Sequence, residues 1–383
     1  MPRLDRDRLT WLVYLQLGVY GYFLYGFGPT VPLLRGEQHV SRTLSGLHGT
    51  ALAAGALVAA LTAAAVIRRW GRAAALWGGC ATLCLGVAVY VSTTALPVTL
   101  LGALLASMGG SYVVTATPPA LSEHHDVGGP AAISEANALA AGVGTVAPLV
   151  VGAAVATRVG WRAGPLVVLA LVAVLALTLG RTPIPRPAAV PVHHDGSRRL
   201  PARYWIGWGV LAASIGVEFC LTLWAADILH NHARMSAGAA AAGVTGFVAG
   251  MCAGRVAGGR LTLRLGVEPL LYAALGVAVV GFTVLWLATW GPLAVAGLVV
   301  CGLGVALLYP LGIVRAIDAS EGRPDLAAAR AGFAAALAVG AGPFALGALA
   351  DRVGIRGAFL VVPALLAAAA VGVRLGSLPA RRG

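Results

Sequence analysis

The chain lacks lysine altogether, and charged residues make up only 11% of its 383 positions. A soluble domain averages roughly 25%, and so little charge cannot solvate a chain that is 59% hydrophobic. With a mean hydropathy of +0.85, a soluble fold is excluded and the chain reads as a membrane protein that crosses the bilayer many times. Cysteine is scarce: Cys80, Cys84, Cys220, Cys252 and Cys301 all fall inside apolar stretches, without a C-x-x-C spacing. That argues against a disulfide framework and against zinc. Without lysine there is no phosphate loop, and Gly142-Val143-Gly144 and Gly302-Leu303-Gly304 follow no strand. Close contact between helices explains them better than a nucleotide does, so neither a cofactor nor a primary pump is expected. The net charge of +13 does not imply nucleic acid, because the arginines stand in short clusters between apolar runs. No cleavable leader is expected, since Met1 to Thr10 is polar and the following apolar run is long enough to span.

What the chain does have is a repeat. Arg158-Val159-Gly160-Trp161-Arg162 leads into Leu166-Val167-Val168, and Arg352-Val353-Gly354-Ile355-Arg356 leads into Leu360-Val361-Val362, 194 residues later. In both copies the preceding apolar segment carries an internal proline, Pro148 and Pro343. About 20 apolar residues at 1.5 Å rise cross the hydrocarbon. On that ruler twelve spans lie near 10–34, 45–67, 73–94, 97–121, 131–157, 162–180, 203–229, 236–258, 266–289, 291–315, 326–350 and 356–376. The expected architecture is all-α: a six-helix bundle over 1–180, a proline-rich cytoplasmic linker over 181–203, and a second six-helix bundle over 204–383.

Arginine sets the orientation. With the amino terminus inside, the cytoplasmic segments hold 20 arginines, and the outer loops hold only Arg35, Arg42, Arg158, Arg162, Arg234, Arg352 and Arg356. The positive-inside rule puts both termini in the cytoplasm and the chain in the cytoplasmic membrane. Trp11, Trp70, Trp161, Trp205 and Trp290 fall at span ends, where an interfacial belt is expected. Glycine and alanine fill several spans, for example Ala237 to Gly259, and small residues let helices approach closely in lipid.

Six spans, a linker and six more, with Gly254-Arg255-Val256-Ala257-Gly258-Gly259-Arg260, Arg264, and Gly340-Ala341-Gly342-Pro343 followed by Asp351-Arg352-Val353-Gly354, resemble the major facilitator superfamily of secondary transporters. The first run is similar to that family's loop after helix eight, the second to its eleventh helix and following turn. The resemblance implies gating roles for Arg68, Arg69, Arg72, Arg255, Arg260, Arg264, Asp351 and Arg352. It also carries departures. The family's loop between helices two and three usually reads Asp-Arg-x-Gly-Arg, and here it reads Arg68-Arg69-Trp70-Gly71-Arg72. Glu123 and Asp126 on the next cytoplasmic loop are candidate partners for Arg68 and Arg69. The fourth span lacks the arginine many proton-coupled drug exporters carry there, and Ala147-Pro148 with Gly152 only partly matches the antiporter motif.

Glu218 is the sharpest single residue. It stands fourteen residues after Tyr204 and ten before Ile228, roughly 21 and 15 Å from the ends of its helix. An ionised group at that depth costs at least ~2.5–3.5 kcal/mol, so it must face a cavity, find a partner or take up a proton. The resemblance makes helices one, four, seven and ten the lining of a central cavity, with Glu218 on the seventh. Glu218 is therefore expected to couple protons, to pair with a substrate cation, or both; the plainer alternative is a protonated carboxyl bonded between helices. Ser214 and Thr222 flank it by four residues on the same face. Gln16 and Tyr25 on the first span, Ser111, Tyr112 and Thr115 on the fourth, and Tyr309 on the tenth complete the candidate substrate-binding set, against simple packing or self-bonding of hydroxyls. Arg255 is expected to snorkel to the cytoplasm, an inward orientation towards an anionic substrate being the alternative, and Asp227 to be an exposed helix-end residue. His124-His125-Asp126, His193-His194-Asp195, and Asp227 with His230 and His232 lie in loops or helix ends, and no metal site is expected.

These features point to a monomeric secondary transporter, not an enzyme. It would move a small molecule by rocking one bundle against the other, exporting a metabolite or drug-like compound in exchange for protons. The alternatives are proton-driven uptake of a nutrient and a non-transporting sensor on the same scaffold.

Overall fold

The computed structural model describes residues 5–157, 159–185, 200–321 and 323–377, without the side chains of 259, 260, 263, 324, 325, 328 and 329. Most of the expected linker therefore lies outside the described residues. Among the described residues thirteen α-helices follow in order: α1 Arg8–Gln38, α2 Arg42–Trp70, α3 Arg72–Val91, α4 Leu96–His125, α5 Gly129–Ala156, α6 Ala163–Leu179, α7 Ala202–Asn231, α8 Ala237–Gly243, α9 Thr245–Leu265, α10 Val267–Leu287, α11 Gly291–Asp318, α12 Pro324–Ala358 and α13 Val361–Ser377. No strand occurs among the described residues. Eight stretches are long and apolar enough to cross a bilayer, and one of them, Leu96–Ala156, contains both α4 and α5. The order is consistent with the twelve expected spans, the eighth being broken into α8 and α9 at Val244.

The residues fall into two compact units: Met1–Ser41, Leu47–Val192 and Ala237–Thr245 form one, and Arg42–Gly46, His193–Ser236 and Gly246–Gly383 the other. Close helix pairs include α3 with α4 and α1 with α5 in the first and α10 with α11 in the second. Glycine is the cause. A Cβ on Gly86 would overlap the backbone of Ala106, and one on Gly304 the backbone of Ala278. In lipid, where apolar side chains gain nothing by leaving their surroundings, such close approach is what holds helices together.

The Arg-x-Gly turn recurs in every quarter of the chain. Its glycines have φ of 84° at Gly71, 96° at Gly160, 77° at Gly266 and 76° at Gly354, a left-handed backbone that a Cβ disfavours. A charged residue just past each glycine then reaches a neighbouring helix. Arg72 forks onto Glu123 of α4 at 2.7 and 3.2 Å, and Arg162 bonds Glu37 of α1 at 2.9 Å. Glu268 lies 3.6 Å from Arg315 of α11, and the Arg356 guanidinium sits 4.4 Å from the Trp286 ring of α10. The same left-handed glycine turn thus recurs four times, and its copies at Gly160 and Gly354 are the two that the sequence repeat contains.

Local chemistry sets the first helix. Asp7 caps α1 by accepting from the Thr10 amide at 2.9 Å and its hydroxyl at 2.8 Å, and His39 closes it in the left-handed conformation. Burial opposes ionisation of Asp7, but the Thr10 bonds and the nearby His124 outweigh it and leave its pKa below the usual carboxylate range.

Candidate functional site

Midway along α7, Glu218 is 15% exposed, and Oε1 lies 3.9 Å from Nη2 of Arg255 on α9. Arg255 thus turns towards the acid, which corrects the expectation that it snorkels to the cytoplasm. The separation is too long for a hydrogen bond. Coulomb attraction at 4 Å is about 4 kcal/mol for an effective dielectric of 20, and a 38% exposed Arg255 side chain screens it towards about 1 kcal/mol. The pair is close but loosely held. Tyr309 on α11 is 43% exposed. The neighbouring hydroxyls are committed elsewhere: Ser214 donates to Val210 O and Thr222 to Glu218 O, both at 2.8 Å. The expected polar stripe is therefore bonded to its own helix.

In the first unit, Gln16 is fully buried and neither its amide nitrogen nor its oxygen has a hydrogen-bond partner. An unmet polar group in such a setting costs about 1–3 kcal/mol, so this position is set apart from the packed residues around it. The Tyr25 ring lies against Gly144 of α5. Ser111 is within bonding reach of the Tyr20 hydroxyl, Tyr112 bonds Thr62 of α2 at 2.6 Å, and Thr115 donates to its own helix at Ser111 O, 2.8 Å away.

The candidate gating residues are divided. Glu123 pairs with Arg72, whose side chain is 3% exposed, and not with Arg68 or Arg69. Arg68 is exposed, and Arg69 stacks on Trp70 at 5.4 Å. Asp126 is exposed with φ of 48°. Arg264 and Arg352 are exposed at helix ends, and the Arg260 side chain lies outside the described ones. Trp161, expected at the bilayer surface, is 5% exposed and donates to Glu37 at 2.8 Å.

Two acids of the second unit hold the first turn of α2. Asp351 accepts from the amides of Arg42 and Thr43 at 2.9 and 2.8 Å and from the Thr43 hydroxyl at 2.6 Å. It caps a helix 309 residues away in sequence. Asp227 is 1% exposed and takes Arg42 Nε at 2.8 Å, with Asn231 donating to its other oxygen at 3.0 Å. This overturns the reading of Asp227 as an exposed helix end. The signal in the sequence was its position, nine residues past Glu218 on an apolar helix, but no local pattern links it to Arg42. The contrast within α7 is informative: Asp227 is locked by short bonds, and Glu218 is not.

The family model for the Major Facilitator Superfamily matches residues 13–225. An uncharacterized transporter, y4wD, of Sinorhizobium fredii (strain NBRC 101917 / NGR234) is 32% identical over 168 residues, which is 44% of this chain and 44% of that protein. A bacterial homolog of the human lysosomal transporter Spinster, in an inward-facing and occupied conformation, aligns over 98% of both chains with a TM-score of 0.75 at 15% identity. A D-xylose-proton symporter aligns over 96% of both with a TM-score of 0.73 at 15% identity. The fold, the spans and the family match agree: the chain belongs to the Major Facilitator Superfamily and is a multi-pass membrane transporter.

Proposed function

We propose that this chain is a proton-coupled secondary transporter of a small neutral or cationic molecule, working by alternating access with both termini in the cytoplasm. Glu218 takes up and releases the proton. The observation that carries this is the loose ion pair with Arg255 at 3.9 Å in the middle of α7. When Glu218 is ionised, Arg255 balances its charge; when it is protonated, Arg255 is released to the rest of the cycle. A pair worth about 1 kcal/mol can be broken by one proton or one substrate cation. The Asp227–Arg42 pair, hydrogen-bonded at 2.8 Å and buried, cannot serve in that way. Gln16, whose buried amide lacks a partner, is the first-unit position best suited to gain bonds from a polar substrate. Arg72 with Glu123, and Asp351 with the first turn of α2, act as gate contacts.

Proton exchange for an exported metabolite is the direction we favour. Uptake is the second reading, supported by the likeness to a D-xylose-proton symporter. The test is reconstitution in proteoliposomes containing a pH-sensitive dye, challenged with a panel of sugars, nucleosides and organic amines. Exchange makes protons move against the substrate, and uptake makes them move with it. Substrate flux with no proton movement in either direction refutes the coupling.

A further inference from the structure

A cavity distinct from the Glu218–Arg255 pair opens at the end of the second unit where α7 begins and α11 and α13 finish. Its volume is about 260 Å³, and its walls include Arg203, Arg315 and Asp318 together with Gly207, Gly312, Gly372 and Gly376. By the same measure a single water needs only about 10–15 Å³, so the space holds a group of many atoms. Four glycines on three helices keep it open. A Cβ on Gly207 would only reach ordinary contact with Ala316, 3.4 Å away, so packing does not demand glycine there.

The charges are arranged, not scattered. Arg315 donates to the Val373 carbonyl at 3.1 Å and has Glu268 at 3.6 Å, which fixes its guanidinium at the wall. Arg203 and Asp318 are exposed at the mouth. Glu268 and Asp318 together offset the two arginines, so a purely anionic ligand gains little from the net field. A ligand with separated charges gains from both signs. The depth fits as well: Trp205, two residues past Arg203, is 45% exposed, as residues at headgroup level are.

We infer that this cavity binds a phosphate ester that carries a nearby ammonium group, the phosphate on Arg203 and Arg315 and the ammonium on Asp318. A phosphatidylethanolamine headgroup from the adjoining leaflet and a water-soluble phosphoethanolamine share that chemistry. Guanidinium groups suit phosphate through their planar array of donors, and basic pockets between membrane helices are known headgroup sites. A primary ammonium can donate to Asp318, whereas the trimethylated group of phosphatidylcholine cannot, and phosphatidylglycerol has no cation to offer. The inference does not depend on Glu218 or on any transport activity.

The test is binding to delipidated, detergent-purified protein, read by native mass spectrometry and by thermal shift. The probes are phosphatidylethanolamine, phosphatidylcholine, phosphatidylglycerol and soluble O-phosphoethanolamine. The expected result is preferential retention of phosphatidylethanolamine. Arg203→Gln should weaken it about tenfold, the scale of one charged contact, and Asp318→Asn should remove the preference over phosphatidylglycerol. Gly207→Leu, which leaves every charge in place and fills the space, should also abolish binding, and its melting temperature without lipid reports whether the fold is intact. Response to the lipid alone identifies a membrane source, and response to O-phosphoethanolamine identifies a soluble one. Equal retention of phosphatidylethanolamine and phosphatidylglycerol overturns the ammonium assignment. Binding unchanged in both Arg203→Gln and Gly207→Leu, or no binding of any probe, overturns the site.

Discussion

Replacing Asp227 with asparagine tests whether the Arg42 pair is a structural lock. Asp227 is 1% exposed and Arg42 22%, so the substitution leaves a largely buried guanidinium facing an amide. Removing one partner of a fully buried pair costs about 3–5 kcal/mol. The residual exposure of Arg42 lets water recover part of that, which leaves about 2–3 kcal/mol. At roughly 2 °C per kcal/mol for a large chain, the melting temperature should fall by about 4–6 °C. Intrinsic tryptophan fluorescence of the purified protein, followed through thermal unfolding, reads this directly. The double variant Arg42→Met, Asp227→Leu should recover most of the loss, because the penalty is an unpaired buried charge and not a missing contact. Asp227→Asn melting within about 1 °C of the parent, or a double variant whose losses simply add, would refute the reasoning.

Further outcomes follow from the same geometry. Asp351→Ala should cost about 0.5–2 kcal/mol as a lost helix cap, with faster amide hydrogen exchange at Arg42 and Thr43, and Asp351→Asn should lose less because its amide oxygen still accepts. Gly86→Leu and Gly304→Leu should abolish the monodisperse peak in size-exclusion chromatography, since their side chains would overlap backbone, whereas Gly142→Ala, with nothing within 4 Å, should leave it intact. Burial and the adjacent His124 hold the His125 pKa below its ordinary 6.5. The folded chain therefore binds fewer protons there, and stability should fall as pH drops through about 6.5. Glu37, depressed below 4.5 chiefly by the Arg162 hydrogen bond, should add a second loss below about pH 4.5. A melting temperature that is flat from pH 8 to 4, or that is unaltered by His125→Gln in the first step, contradicts this.

The helices were legible because each is a long apolar run, and bilayer thickness fixes how long such a run must be. The Arg-x-Gly turns were legible as a repeat because a left-handed backbone selects glycine, leaving a mark at Gly160 and Gly354 that survives divergence elsewhere. Glu218 stood out because one acid in an apolar helix is costly. Partners were not legible. Glu123 could be matched to Arg68, Arg69 or Arg72 from charge alone, and only the direction in which α3 carries Arg72 decides the matter. Asp227 and Asp351 meet α2 across 185 and 308–309 residues, with no local pattern to announce it. Arg255 was hard to place for a related reason. It stands at the middle of α9, ten residues from each end. An arginine there can reach for water or for an acid on a neighbouring helix, and sequence contains no measure of that choice.

Glu218→Gln, assayed in proteoliposomes with any substrate the panel yields, bears most directly on the central claim. Glutamine keeps the shape and cannot carry the proton. The account predicts that substrate exchange at equal pH on both sides persists, while accumulation driven by a pH gradient is lost together with the dye-reported proton movement. Gradient-driven accumulation that survives in Glu218→Gln with its full pH dependence would contradict it.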